Sequence, residues 1–273
     1  MGVADIHPEA DLPAITAEFE AQARGDKTLA ANLPCLRKDG TVVYADVSAV
    51  SMSVDGMVCN VGFFRDTTER KRAQDALSRS LDATLNVLGH AAEMRDPYTA
   101  GHQRRVTALA TALARKLGFP DDECDTLRIA GLLHDIGKLG IPAEILSKPS
   151  QLSPIEFSLI REHPQRAYDI LTDVPFPGPV AEIVLQHHER LDGSGYPRAL
   201  TGDQILREAR ILAVADVVEA MASHRPYRPA LGIDVALTEI RAGSGTCYDQ
   251  QIVDACVTLF ESGEFSFSAT SGS

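Results

Sequence analysis

The 273-residue chain is long enough for one large domain or two smaller ones, and 44% hydrophobic content supports a filled core. A formal net charge of −12 excludes a broad basic surface for DNA, RNA or an anionic membrane. An anionic substrate would need local positive charge from metal ions or a few Arg and Lys. Aromatic content of 5% with no Trp points to a helical core packed with Leu, Ala and Val. Five cysteines, odd in number and without CxxC spacing, read as reduced thiols of a cytoplasmic protein. No window approaches about eighteen apolar residues, so neither export nor a membrane span is expected.

Residues 1 to about 29 have a helical, acidic pattern and no chemical motif. From about Leu33 the pattern becomes β-rich, with Lys38-Asp39-Gly40 as a turn, Thr41 to Val50 as one run, Asp55-Gly56 as a second turn and Met57 to Phe64 as another run. An antiparallel hairpin or meander follows from that order. These turns, with the closing segment Phe64-Arg65-Asp66-Thr67-Thr68-Glu69-Arg70, resemble the C-terminal part of a PAS sensor domain. The resemblance covers residues 1–68 and lacks the two strands that usually come first. No haem or flavin ligand stands out, so no sensory cofactor is named.

Asp66 with Glu69 is a capping-box pattern opening a long helix. Leu77, Leu81, Leu85, Leu88 and Ala92 form one stripe, which makes 69–92 a helical connector. A parallel coiled-coil homodimer and a helix packed on its own domain fit its first half equally. Past Val87, packing on the C-terminal domain is favoured.

Four times in the following stretch an apolar helical stripe begins or ends in histidine. His102 precedes Val106, Leu109, Ala110 and Leu113; Leu127 and Ala130 lead to His134; Ile155 and Leu159 lead to His163; Val180, Ile183 and Val184 lead to His187, with His188 next. Ser153-Pro154-Ile155-Glu156 is a further capping box. Read alone, His134 can cap carbonyls while Asp135 faces water, or the pair can ligate a metal. The segment Ala209 to Met221 is almost wholly apolar and reads as a central buried helix containing Asp216. A buried carboxylate needs a counter-charge, which Arg210 could supply as a salt bridge. Five inward histidines make a metal the better partner.

His102, His134, Asp135, His163, His187, His188 and Asp216 exceed what one tetrahedral metal needs. They suit two metals that share Asp135 as a bridge, and mixed imidazole and carboxylate ligands favour Fe or Mn. Such a pair suits hydrolytic displacement at phosphorus, where Lys138 can steady a phosphate oxygen. Two amphipathic helices follow at 233–241 and 249–260, and a polar tail over 263–273 is expected to be disordered.

The run His187-His188-Glu189-Arg190-Leu191-Asp192-Gly193-Ser194-Gly195-Tyr196-Pro197 closely resembles the HD-GYP family. So do His134-Asp135-Ile136-Gly137-Lys138 and Arg225-Pro226-Tyr227-Arg228, over roughly residues 80–262. The fold expected is mainly α: an all-helical HD-superfamily domain, preceded by a small α+β PAS-like fragment and a helical connector. The resemblance implies a bacterial phosphodiesterase that hydrolyses cyclic di-GMP to pGpG and GMP. It assigns the seven residues above to metal and makes His134, Asp135 and Lys138 catalytic. Lys138 and Arg190 would contact phosphate, and Gly195, Tyr196 and Pro197 would shape the substrate side. Two departures matter. Tyr98 stands where some members carry a Glu that helps hold a third metal, so a two-metal site is expected, with pGpG as the main product. Glu219 stands where Asp is usual, a change expected to matter little; His224, before Arg225, has no assignment. Competing expectations are hydrolysis of another nucleotide, either a hybrid cyclic GMP-AMP or a guanosine alarmone, and a non-catalytic signalling scaffold. The Gly195-Tyr196-Pro197 loop disfavours the alarmone, and a complete ligand set disfavours the scaffold.

Overall fold

The structure, a computed structural model, describes residues 3–54, 57–95, 101–148, 150–223 and 231–267, with backbone alone at 3, 51, 52, 54 and 57–60. Expectations placed on Asp55-Gly56, Tyr98, His224, Arg225 to Arg228 and Ser268 to Ser273 lie outside the described residues. Two compact units divide the chain, Met1–Asp82 and Ala83–Ser273.

In the first unit, helix α1 (Leu12–Ala23) is shorter than the helical pattern of residues 1–29, with Pro13 in its first turn. Three strands follow, β1 (Ala30–Leu36), β2 (Val42–Val54) and β3 (Met57–Asp66), paired antiparallel in the order β1-β2-β3. β1 begins before the expected change at Leu33. A bulge between Ala30 and Leu33, with Asn32 at φ 54, breaks the alternation that would have marked its start. Pro34 is accommodated because β1 lies at the sheet edge. Ile15, Ala30, Leu33, Cys35, Ala45 and Val47 form a small core.

Helix α2 (Thr68–Arg95) starts where Asp66 Oδ1 accepts the Thr68 N–H at 2.9 Å. Leu85, Gly89, Ala92 and Glu93 are buried, whereas Leu77, Leu81 and Leu88 are exposed. The stripe of the connector is thus two faces.

The second unit is helical, and the described residues as a whole are mainly α. It contains α3 (His102–Lys116), α4 (Asp121–Leu133), α5 (Ala143–Leu146), α6 (Pro154–Ile160), α7 (His163–Leu171), α8 (Val180–Gln186), α9 (Arg207–Ala222), α10 (Ile233–Ala242) and α11 (Gln250–Glu261). The apolar faces of α3, α4, α8 and α9 meet around Leu109, Leu113, Leu127, Ile183 and Leu212, all fully buried. The capping box expected at Ser153 forms with both bonds, and Asp249 caps α11 through the Gln251 N–H at 3.0 Å. Order extends past 263, contrary to the expected tail. Phe265 and Phe267 pack on Phe260 at ring separations of 5.3 and 5.5 Å, because two aromatic side chains gain more from burial than from solvent. Among the described residues, no helix is long and apolar enough to cross a membrane.

Candidate metal centre

Helix ends position the ligands. His134 closes α4, and Asp135 opens the 3₁₀ turn Ile136–Gly140. That turn lies against the start of α7, where His163 is the first residue. The approach is so close that a Cβ on Gly137 would sit 1.9 Å from the His163 carbonyl oxygen. His187 closes α8, and His102 opens α3. Asp216 lies mid-way along α9.

Local hydrogen bonds orient the imidazoles. Nδ1 of His134 donates to the Gly131 carbonyl at 2.6 Å, Nδ1 of His163 to Ile160 at 2.7 Å, and Nδ1 of His187 to Val184 at 2.5 Å. A carbonyl only accepts, so each proton is on Nδ1 and each Nε2 carries a lone pair. These lone pairs converge. His163 Nε2 and His187 Nε2 are 3.4 Å apart, and His134 Nε2 is buried with no hydrogen-bond partner. Facing lone pairs in a buried pocket repel unless a cation lies among them.

Protonation does not relieve the repulsion. Burial, reinforced by the neighbouring imidazoles, pushes His187 down to about 3. Burial likewise pushes His163 down to about 4, against the pull of Asp135. His188 is also driven well below its ordinary value by burial and by His187. Burial opposes the ionisation of Asp135, yet Lys138 and the histidines around it hold its carboxyl well below the usual range. His163, His187 and His188 therefore stand as neutral imidazoles beside an ionised Asp135, the protonation states a divalent metal requires.

All seven residues singled out from the sequence come together. One ligand atom from each of His102, His134 and Asp216 lies within 4.8 Å of the others, and the same holds for His163, His187 and His188, and for His134, Asp135 and His187. Asp135 faces both sides: Oδ1 is 3.4 Å from His163 Nε2, and Oδ2 is 3.6 Å from His134 Nε2 and 4.0 Å from His102 Nε2. Lys138 Nζ lies 2.8 Å from Asp135 Oδ2. Arg210 is not the partner of Asp216; it pairs with Asp203 and Asp249, each at 3.1 Å. The donor set fits a divalent metal.

The loop expected on the substrate side borders the cluster. A Cβ on Gly195 would meet the backbone of His188, Glu189 and Arg190 at 2.5 Å, so glycine lets the loop fold back on the ligand segment. The Tyr196 ring packs on His188 with centroids 4.7 Å apart, and the Arg161 guanidinium lies over the Tyr196 ring at 4.7 Å. Pro197 follows Tyr196 through a cis peptide bond. Arg190 lies over the Tyr248 ring at 5.3 Å and donates to the Glu189 carbonyl at 2.9 Å.

Three buried glutamates were missed or undervalued in the sequence. Glu219, expected to matter little, is 1% exposed; it bonds His102 Nδ1, takes the Arg105 Nε–H at 2.7 Å and takes the Ser223 hydroxyl at 2.5 Å. It fixes the ring so that His102 Nε2 faces Asp216 at 3.2 Å. Burial lowers the His102 pKa, but the hydrogen-bonded Asp216 and Glu219 carboxylates outweigh it and raise it to about 9. Glu189 is 2% exposed and accepts the Arg198 N–H at 2.7 Å and the Leu200 N–H at 3.0 Å, tying down the loop beyond Pro197. Glu93 accepts the N–H groups on either side of His102. Only the spacing of Glu219, three residues after Asp216, was a local signal; the other partners are set by packing.

The chain is similar to known proteins over this same region. A family model described as HD domain matches residues 86–252. The chain is 41% identical over 174 residues to the cyclic di-GMP phosphodiesterase response regulator RpfG of Xanthomonas campestris pv. campestris, covering 63% of this chain and 46% of that protein. It is 38% identical over 171 residues to the 3'3'-cGAMP-specific phosphodiesterase 3 of Vibrio cholerae, covering 63% of this chain and 37% of that protein. The chain thus spans under half the length of either relative. Among solved structures, a cyclic GMP-AMP specific phosphodiesterase of V. cholerae (V-cGAP3) aligns with TM-score 0.50 and 19% identity, covering 66% of this chain and 49% of that one, a likeness of fold. With the matched model spanning the ligand cluster and the Gly195-Tyr196-Pro197 loop in place beside it, the chain belongs to the HD domain family and carries the signature of its HD-GYP branch.

Proposed function

We propose that the chain is a metal-dependent phosphodiesterase that hydrolyses cyclic di-GMP to linear pGpG, and in part to GMP. The observation that carries the reading is the convergence of five imidazoles on two carboxylates beside a glycine-rich loop. His102, His134 and Asp216 would hold one divalent ion and His163, His187 and His188 a second, with Asp135 between them. The mixed donors favour Fe or Mn. Bound there, the ions supply Lewis-acid activation of water and neutralise phosphate charge. The chain's own groups do the rest. The Nδ1 bonds keep each Nε2 aimed inward, and Lys138 keeps Asp135 ionised and offers an ammonium to a phosphate oxygen. Arg190 adds a second cation on the substrate side, and Gly195, Tyr196 and Pro197 form the wall. Burial pushes the Tyr196 phenol up, so it stays neutral and can donate a hydrogen bond.

The resemblance of residues 1–68 to a PAS module supports a sensory role for the first unit. The exposed Leu77, Leu81 and Leu88 support a homodimer through the 69–92 helix. A second substrate reading, hybrid cyclic GMP-AMP, is favoured by the likeness to the V. cholerae relative, which is nearly as strong as that to RpfG.

The test is turnover. Protein purified anaerobically and assayed for metal per chain should convert cyclic di-GMP faster than hybrid cyclic GMP-AMP, followed by chromatography. Asp135→Ala should lose both metals and all turnover. A two-metal protein that leaves cyclic dinucleotides intact would sink the reading, and activity retained by Asp135→Ala would remove the bridging role.

A further inference from the structure

His102 occupies a vulnerable position for a metal ligand. It is the first residue of α3, and helix ends fray because their first N–H groups lack intrahelical acceptors. The usual remedy is a side-chain oxygen at the N-cap, but the N-cap here is Gly101, which has none. The acceptor comes from another helix. Glu93, in the last turn of α2 and 7% exposed, places one carboxylate oxygen 3.1 Å from the Gly101 N–H and the other 3.0 Å from the Gln103 N–H. The two bonds bracket His102 on either side. A carboxylate at that helix end is also favoured by the helix dipole.

The same turn of α2 is held at a second point. The buried Gln103 amide, with its nitrogen facing them, donates to the Gly89 carbonyl at 2.8 Å and to the Leu132 carbonyl at 3.3 Å. Leu132 lies two residues before His134. A Cβ on Gly89 would come within 2.6 Å of the Gln103 side-chain amide and 2.9 Å of the Leu132 carbonyl oxygen, so α2 sits directly on the backbone around two ligands. No comparable contact links α2 to His163, His187 or His188 among the described residues.

We propose that Glu93 is a positioning residue that ties the connector helix to the His102, His134 and Asp216 half of the metal centre. A shift of α2 would then act on one half of the centre and spare the other. The proposal rests on the two-metal reading above and deepens it by naming the half that α2 controls.

The test is the split between two metal equivalents in the full chain, titrated with Mn²⁺ and read by electron paramagnetic resonance without substrate. Glu93→Gln keeps size and shape but sets an amide NH₂ against one of the two N–H groups. It should weaken one equivalent by tenfold or more and leave the other within twofold, in the range of lost outer-shell support. With cyclic di-GMP, kcat should fall while KM stays within twofold. Equal affinities for both equivalents, or equal weakening of both as general destabilisation would give, overturns the proposal. Should Glu93→Gln fail to fold, Gly89→Ala decides by the same split, since its Cβ pushes α2 off Gln103 and leaves Glu93 intact. Wild-type protein that binds two equivalents but leaves cyclic di-GMP intact overturns the substrate, not this inference. A wild type that binds only one overturns both.

Discussion

Glu189 shows how one carboxylate outside the candidate ligand set can hold the loop beyond Pro197. It follows His187 and His188 in sequence, is buried, and takes two backbone N–H groups from the far side of the Gly195-Tyr196-Pro197 loop. Such bonds to a charged acceptor are stronger than neutral ones. Glu189→Gln keeps one acceptor and turns an NH₂ toward the other N–H, leaving a buried donor unmet at a cost of roughly 1–3 kcal/mol. The loop should loosen, so KM for cyclic di-GMP should rise several-fold while metal per chain stays unchanged. Steady-state kinetics beside metal analysis checks this; an unchanged KM would show that the loop is held by other contacts. Glu219 differs, because its contact is His102 itself, and the expectation that Glu in place of Asp matters little gives way to a direct orienting role.

The two faces of α2 divide its work. Leu85, Gly89 and Glu93 face the helical unit, while Leu77, Leu81 and Leu88 are 72%, 53% and 40% exposed. The exposed leucines are spaced by four and then seven residues, which fits d, a and a positions of a heptad, the seam of a parallel dimer. Leu81→Glu with Leu88→Glu should convert a dimer into a monomer in sedimentation, with helix content kept. Unchanged mass would exclude this seam. Much at this scale was legible in the sequence: the 3.6-residue spacing of Leu and Val located α3, α4, α8 and α9, and it placed each histidine at a helix end. The seven-residue cluster was legible for the same reason. The glutamates were not, because Glu219 reaches His102 across 117 positions and no local period records such a bond. β1 was hidden by its bulge and by Pro34, which interrupt alternation where tertiary pairing sustains the strand.

The two units should respond differently to metal and to acid. Among the described residues the candidate ligands lie in Ala83–Ser273, whereas Met1–Asp82 has its own small core around Ile15, Leu33 and Val47. Metal bound to the folded cluster would stabilise that unit alone, by about 2.7 kcal/mol when free metal is a hundredfold above Kd. Calorimetry should therefore show two transitions, and chelation should lower only one, by roughly 5–10 °C for a unit of this size. With metal stripped, the histidines set the pH dependence. His163 at about 4 and His187 at about 3 are neutral when folded, but they titrate near 6.5 when unfolded. The unfolded state binds more protons below 6.5, so their contribution is present above 6.5 and is lost as pH falls toward 4. His102, raised to about 9, works in the other sense: its contribution is full below 6.5 and is lost as pH rises through 9. The chelated protein should thus lose stability in its metal-binding unit on both sides of neutrality. Metal should flatten the alkaline arm, because a metal takes the His102 Nε2 lone pair and the protonated state no longer contributes. Melting curves at pH 5, 7 and 9 with and without chelator read this directly. A single transition that shifts as a whole on chelation would show that the two units unfold together.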